Sequence, residues 1–172
     1  MQVLTRATET MAAAMTDTID KADLYEADTH AWAMDQADRL RGLARRDPGL
    51  AGLDFPHLIE ELDAMAGADR RRVESLAEAI IQHLLLLEHS PAREPRRRWK
   101  AEIIDPRRGL ARTFTRTLER HLTEQLDAVF DDARDAIRRK MEVYDELEAA
   151  ARLPTARPYT LEQIRGDWWP PD

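Results

Sequence analysis

A chain of 172 residues is long enough for one domain with a sizeable core, since chains of this size bury roughly 70 % of their unfolded surface. The absence of cysteine excludes disulfides, thiolate zinc sites and thiol catalysis, and makes a cytoplasmic setting the simplest expectation. A net charge of -7 argues against nonspecific coating of nucleic acid.

Residues 1–20, MQVLTRATETMAAAMTDTID, lack the basic and apolar regions of a secretory signal, and we expect an extension without fold there. Met11 and Met15 are further in-frame starts. The domain is expected over 21–172. Its longest strongly apolar run, Ala79 to Leu87, contains Gln82 and His83 and falls short of the ~20 residues that cross a bilayer, so a soluble protein without a membrane partner is expected.

Scarce glycine and apolar residues at three- and four-residue steps predict an all-α bundle of about six helices. The first opens at Asp23, with Glu26 completing a capping box, and presents Tyr25, Trp32, Leu40 and Leu43. Turn chemistry at Asp47-Pro48-Gly49 ends it near Arg46. A second helix starts at Asp54 and turns Leu58, Leu62 and Met65 inward. Gly67 interrupts it, and Asp69 caps a third helix from about Arg70 to Glu88. That third helix is apolar on most of its circumference (Val73, Leu76, Ile80, Ile81, Leu84, Leu85, Leu87, with His83 among them), which places it at the centre of a bundle.

Pro91 and Pro95 bracket a loop before a short helix on which Trp99 and Ile103 share a face. Asp105-Pro106 reads as the cap and first turn of the next helix. A four-residue rhythm then runs through Leu110, Phe114, Leu118, Leu122, Leu126, Phe130, Ala133, Ile137 and Met141, with a break expected near Thr115 to Thr117. Near the end, Thr160 and Gln163 form a capping box, and at least one of Trp168 and Trp169 should fold back onto the bundle.

Charge is unevenly distributed. From Pro91 to Arg120 there are ten basic side chains against four acidic ones, so the remaining residues sum to about -13. Arg96, Arg97, Arg98 and Lys100 crowd the short helix beside Trp99, and Arg108, Arg112, Arg116 and Arg120 recur every four residues. Guanidinium groups so spaced can grip phosphate bidentately, with Trp99 as a stacking face. The plainer reading neutralises them with Glu60, Glu61, Asp63, Asp127, Asp131, Asp132 and Asp135 on neighbouring helices.

A second constellation joins Asp54, His57, Glu60 and Glu61 to His83 on a helix expected to return antiparallel. His57, Glu61 and His83 are candidate metal ligands, and Glu60 or Glu61 with His83 a candidate acid-base set. The plainer reading is a Glu61 to His83 pair, and no Glu-x-x-His tetrapeptide of the di-iron bundles occurs. No catalytic residue, metal or cofactor is assigned.

The blocks LYEADTHAWAMDQADRL, LDFPHLIEELDAM, RRR with QHLLLL, RRRW and PYTLEQI follow one another in an order that resembles the bacterial all-helical family catalogued as domain of unknown function 29, over about Leu24 to Pro170. The resemblance covers Tyr25, Asp28, Trp32, Asp54, Leu58, Glu60, Glu61, His83, Leu84, Arg97, Trp99, Pro158, Tyr159, Thr160 and Gln163. Leu86 stands where the family usually has Lys, and Arg116-Thr117-Leu118 where it has a Pro-Ser-Leu turn. The resemblance implies a fold and no activity. The first functional reading is a helical interaction or structural module with a protein partner or a second copy of itself. The alternatives are a nucleic-acid or phosphate-binding protein using the arginine-rich segment, and an enzyme with a Glu/His site.

Overall fold

The computed structural model describes residues 23–50 and 52–171, and the expectation for residues 1–20 lies outside them. The described chain is all-α, with no strand. Residues 23–27 are helical, and six helices follow: α1 (Thr29–Arg46), α2 (Phe55–His89), α3 (Arg96–Thr113), α4 (Arg116–Val143), α5 (Leu147–Ala151) and α6 (Leu161–Arg165). The chain clusters into two compact units, Met1–Ala68 with Thr115–Thr117, and Asp69–Phe114 with Leu118–Asp172.

Two expected helix boundaries are absent. Gly67 lies inside α2, where the predicted second and third helices are one. A mid-helix glycine costs about 1 kcal/mol relative to alanine, less than restarting a helix with a new costly nucleus. Pro106 likewise lies inside α3 instead of opening a helix. An interior proline costs about 3 kcal/mol, but Ile103 and Leu110 on either side of it are fully buried, and each contributes roughly 1.5–3 kcal/mol. The break expected near Thr115 is present: Phe114 is extended (φ -63°, ψ 120°) and ends α3.

In the first unit the expected first helix is divided at Asp28, whose non-helical backbone (φ -154°, ψ 81°) makes it the N-cap of α1. One carboxylate oxygen accepts from Ala31 N–H at 2.9 Å and the other from Thr117 N–H at 3.1 Å. Burial alone would raise this carboxyl, but those bonds, together with hydrogen bonds to the Thr117 and Thr115 side chains, hold it below its ordinary value. The inward face of α1 is His30, Ala33 and Ala37. Tyr25 packs edge-on against Trp32, with ring centroids 4.9 Å apart.

The second unit carries the larger core. The latter half of α2 supplies Val73, Ile80, Ile81, Leu84, Leu85 and Leu87, and these cluster with Ile103 and Leu110 of α3, with the α4 row from Leu118 to Met141, and with Tyr159 and Ile164. Gly109 permits close approach, since a Cβ there would lie 3.2 Å from Cδ2 of Leu76. The Thr160–Gln163 capping box is formed, and both Trp168 and Trp169 pack against the core.

Candidate functional site

Within the first unit, Leu58, Leu62 and Met65 share one face of α2. They were expected to point inward, yet Leu58 and Met65 are 42 % and 44 % exposed. At 100° per residue the buried stripe is instead formed by Phe55 and Ala66, next to this row. Asp54 and Glu61 border its other side. Leu53, just before the helix, is also exposed, so the apolar surface extends beyond the helix start.

Asp54 accepts from the His57 backbone N–H at 3.4 Å, and its second oxygen meets the ring Nδ1 of His57. The hydrogen bond from His57 holds the Asp54 carboxyl low, and the same bond raises His57. Glu60 and Glu61 are exposed. The Glu61 to His83 pair does not form, because both residues lie on the single helix α2 and not on two antiparallel ones. Among the described residues no three histidine, aspartate or glutamate side chains converge as metal ligands.

His83 pairs within the second unit. Its Nδ1 lies 2.7 Å from the Ala79 carbonyl, and its Nε2 lies 2.8 Å from Glu102 on α3. The other Glu102 oxygen accepts from Arg98 Nε at 2.7 Å. Chiefly through Arg98, Glu102 is held below the ordinary carboxylate value. A similar cross-helix pair joins His121 to Glu74 at 2.7 Å.

The arginine-rich segment is divided in use. Arg96 donates to the Leu87 carbonyl in the last turn of α2, and Lys100 is half-buried. Arg97, Arg112 and Arg116 are exposed, and Arg108 reaches, among the described residues, its helical neighbour Asp105, at 3.4 Å. Because α3 ends at Thr113, Arg108 and Arg112 lie on a different helix from Arg116 and Arg120, and the expected single stripe is split. Four of the seven acidic residues expected to neutralise it have other partners: Asp63 pairs with Arg41, Asp127 with Arg157, and Asp131 and Asp135 with Arg134.

The segment's most engaged arginine is one the charge pattern does not single out. Arg107 is 8 % exposed and donates to the carbonyls of Ile164 (2.9 Å), Gln163 (2.9 Å) and Trp168 (2.7 Å). Its guanidinium lies 4.8 Å from the centroid of the Trp169 ring. Arg107 thus satisfies the free carbonyls at the end of α6 and fastens the C-terminal segment. Its signal was positional: it falls on the buried face of α3, between Ile103 and Leu110.

Trp99 packs against the core and also lines a cleft of about 500 Å³, together with Ala92, Pro95, Arg98, Glu102, Lys140, Tyr144 and Glu146. Residues of the helix ends and the loop before α3 meet there. Glu146 accepts from the Ser90 hydroxyl at 3.1 Å.

The family model described as Domain of unknown function DUF29 matches residues 24–169. The chain belongs to the DUF29 family. An alpha-helical protein of unknown function from Rhodospirillum rubrum is similar in structure, with a TM-score of 0.70 and 25 % identity over 83 % of this chain and 89 % of that one. No curated protein matches the chain. No described helix is long and apolar enough to cross a membrane. Within the matched range, Asp28 caps α1, Tyr159 donates to Glu88, and Thr160 with Gln163 caps α6.

Proposed function

We propose that the protein is a helical interaction module, and that the Leu58–Leu62–Met65 row receives a basic amphipathic helix of a partner protein. The observation that carries this reading is the exposure of Leu58 and Met65 at helical spacing, with Leu62 half-buried between them, beside the buried Phe55 and Ala66. Helix-in-groove recognition uses anchors at this spacing. The exposed carboxylates Asp54 and Glu61 along one border favour a cationic occupant over an acidic one. Bacterial origin and a cytoplasmic setting belong to the same proposal, supported by the Rhodospirillum rubrum relative and by the lack of cysteine.

The test titrates the full chain with a designed helical peptide carrying leucines at three- and four-residue steps and lysines on its flanks. A second peptide has glutamates in place of the lysines. The lysine peptide should bind, the glutamate peptide at least ten-fold more weakly, and Leu58→Ser/Met65→Ser should weaken the lysine peptide at least ten-fold. Equal binding by the variant would overturn the proposal. So would a wild-type dimer in sedimentation that the variant dissolves, because the row would then belong to a second copy.

A further inference from the structure

Two carboxylates and two cations line the cleft beside Trp99, and three of the four carboxylate oxygens are engaged. Glu102 spends one oxygen on His83 and the other on Arg98, and Glu146 receives the Ser90 hydroxyl. The cations are less committed. Arg98 meets Glu102 through Nε alone, which leaves its two terminal nitrogens, and its side chain is 81 % exposed. Lys140 is exposed and has no carboxylate partner among the described residues. The uncommitted groups are therefore the two terminal nitrogens of Arg98 and the Lys140 ammonium, against one carboxylate oxygen of Glu146.

The aromatic residues add a second requirement. Trp99 contributes a partly exposed ring, and Tyr144 at the rim is 68 % exposed. Tyr144 is held there by a costly turn. The residue after it, Asp145, has φ 57°, in the left-handed region that a non-glycine residue enters at about 1 kcal/mol or more. The Glu146 N–H closes back on the Met141 carbonyl at 2.9 Å and Asp145 N–H on that of Glu142 at 3.2 Å, the double closure of a Schellman turn. Glycine would adopt this turn without strain. The cleft's volume lies in the range of small-molecule sites.

We propose that this cleft binds a small planar aromatic molecule carrying one anionic group, with the ring against Trp99 and Tyr144 and the anion on Arg98 and Lys140. His83 is a positioning residue: through Glu102 it holds the Arg98 guanidinium over the cleft. Two sources share the ligand's chemistry, a purine mononucleotide and an aryl carboxylate. This site is independent of the helix-docking row.

Calorimetric titration of the full-length chain with adenosine monophosphate, adenosine, naphthoate and inorganic phosphate tests it. At least one of the two aromatic anions should bind, at least ten-fold tighter than phosphate, and a preference between them identifies the source. If the nucleotide is the ligand, adenosine should bind at least ten-fold more weakly than the monophosphate. Arg98→Gln/Lys140→Gln should weaken binding at least ten-fold, and so should Tyr144→Ser, whose exposed position spares the fold. His83→Gln should weaken it less, with circular dichroism unchanged. Absence of binding by both aromatic anions at about 1 mM, binding of phosphate as tight as theirs, or indifference to both the Arg98/Lys140 and the Tyr144 changes would overturn the proposal.

Discussion

The two units bury different kinds of residue. In the second unit, leucine, isoleucine and phenylalanine from α2, α3 and α4 are buried in one cluster. In the first unit the buried set is Asp28, His30, Ala33, Ala37, Phe55 and Ala66, while Leu50, Leu53, Leu58 and Met65 stay exposed. Buried area is the main favourable term in folding, so the second unit has the means to hold itself together. Among the large apolar side chains described in the first unit Phe55 alone is buried, and the exposed leucines and Met65 form a surface a partner can use.

The contrast can be broken from the side of the large core. Leu84→Ala removes a fully buried side chain in the second unit and should cost about 2–5 kcal/mol in urea unfolding, whereas Leu58→Ala should cost under about 1 kcal/mol. Equal losses would erase the distinction. Arg107→Met should cost about 2–4 kcal/mol, because it strands three carbonyls at the end of α6 and before Trp169, and tryptophan fluorescence should report the loosened C-terminal segment. Asp145→Gly should raise stability by about 1 kcal/mol by relieving the left-handed residue at the cleft rim.

The smallest expected effects are protonic and have opposite signs in the two units. In the first, the bond to Asp54 raises His57 above the ordinary histidine value of about 6.5. Its contribution is present below that value and fades as pH rises through the folded-state value. In the second unit, burial, reinforced by Arg152 and opposed by Glu88, lowers His89. The folded chain resists protonation there, so stability present above about 6.5 is lost as pH falls through the depressed value. Proton NMR titration should place His57 above and His89 below the ordinary value. The reverse order would contradict both environments.

Much of this fold is legible in the sequence because helical spacing is a local signal. The rhythm from Leu118 to Met141, the stop after Arg46, the break beside Thr115 and the Thr160–Gln163 box all depend on residues within one or two turns. The errors come where a local breaker was outweighed, Gly67 by the cost of nucleating a new helix and Pro106 by the burial of Ile103 and Leu110 on either side, so that each lies inside a continuous helix. Leu58 and Met65 were read inward because spacing shows which residues share a face and not which face is covered. The partners of His83 and Arg107 depend on where α3 meets α2 and the C-terminal segment, a long-range matter that charge counting along the chain does not reach.

Amide hydrogen exchange followed by mass spectrometry, on the full chain with and without the lysine-flanked helical peptide, separates the two units and locates the docking row. Alone, residues 73–87 and 118–141 should exchange far more slowly than residues 29–66, because their opening exposes the larger core. With peptide, added protection should be confined to residues 53–66 and vanish in Leu58→Ser/Met65→Ser. Uniform protection across both units in the free protein, or peptide-induced protection that leaves residues 53–66 unchanged, would contradict the account.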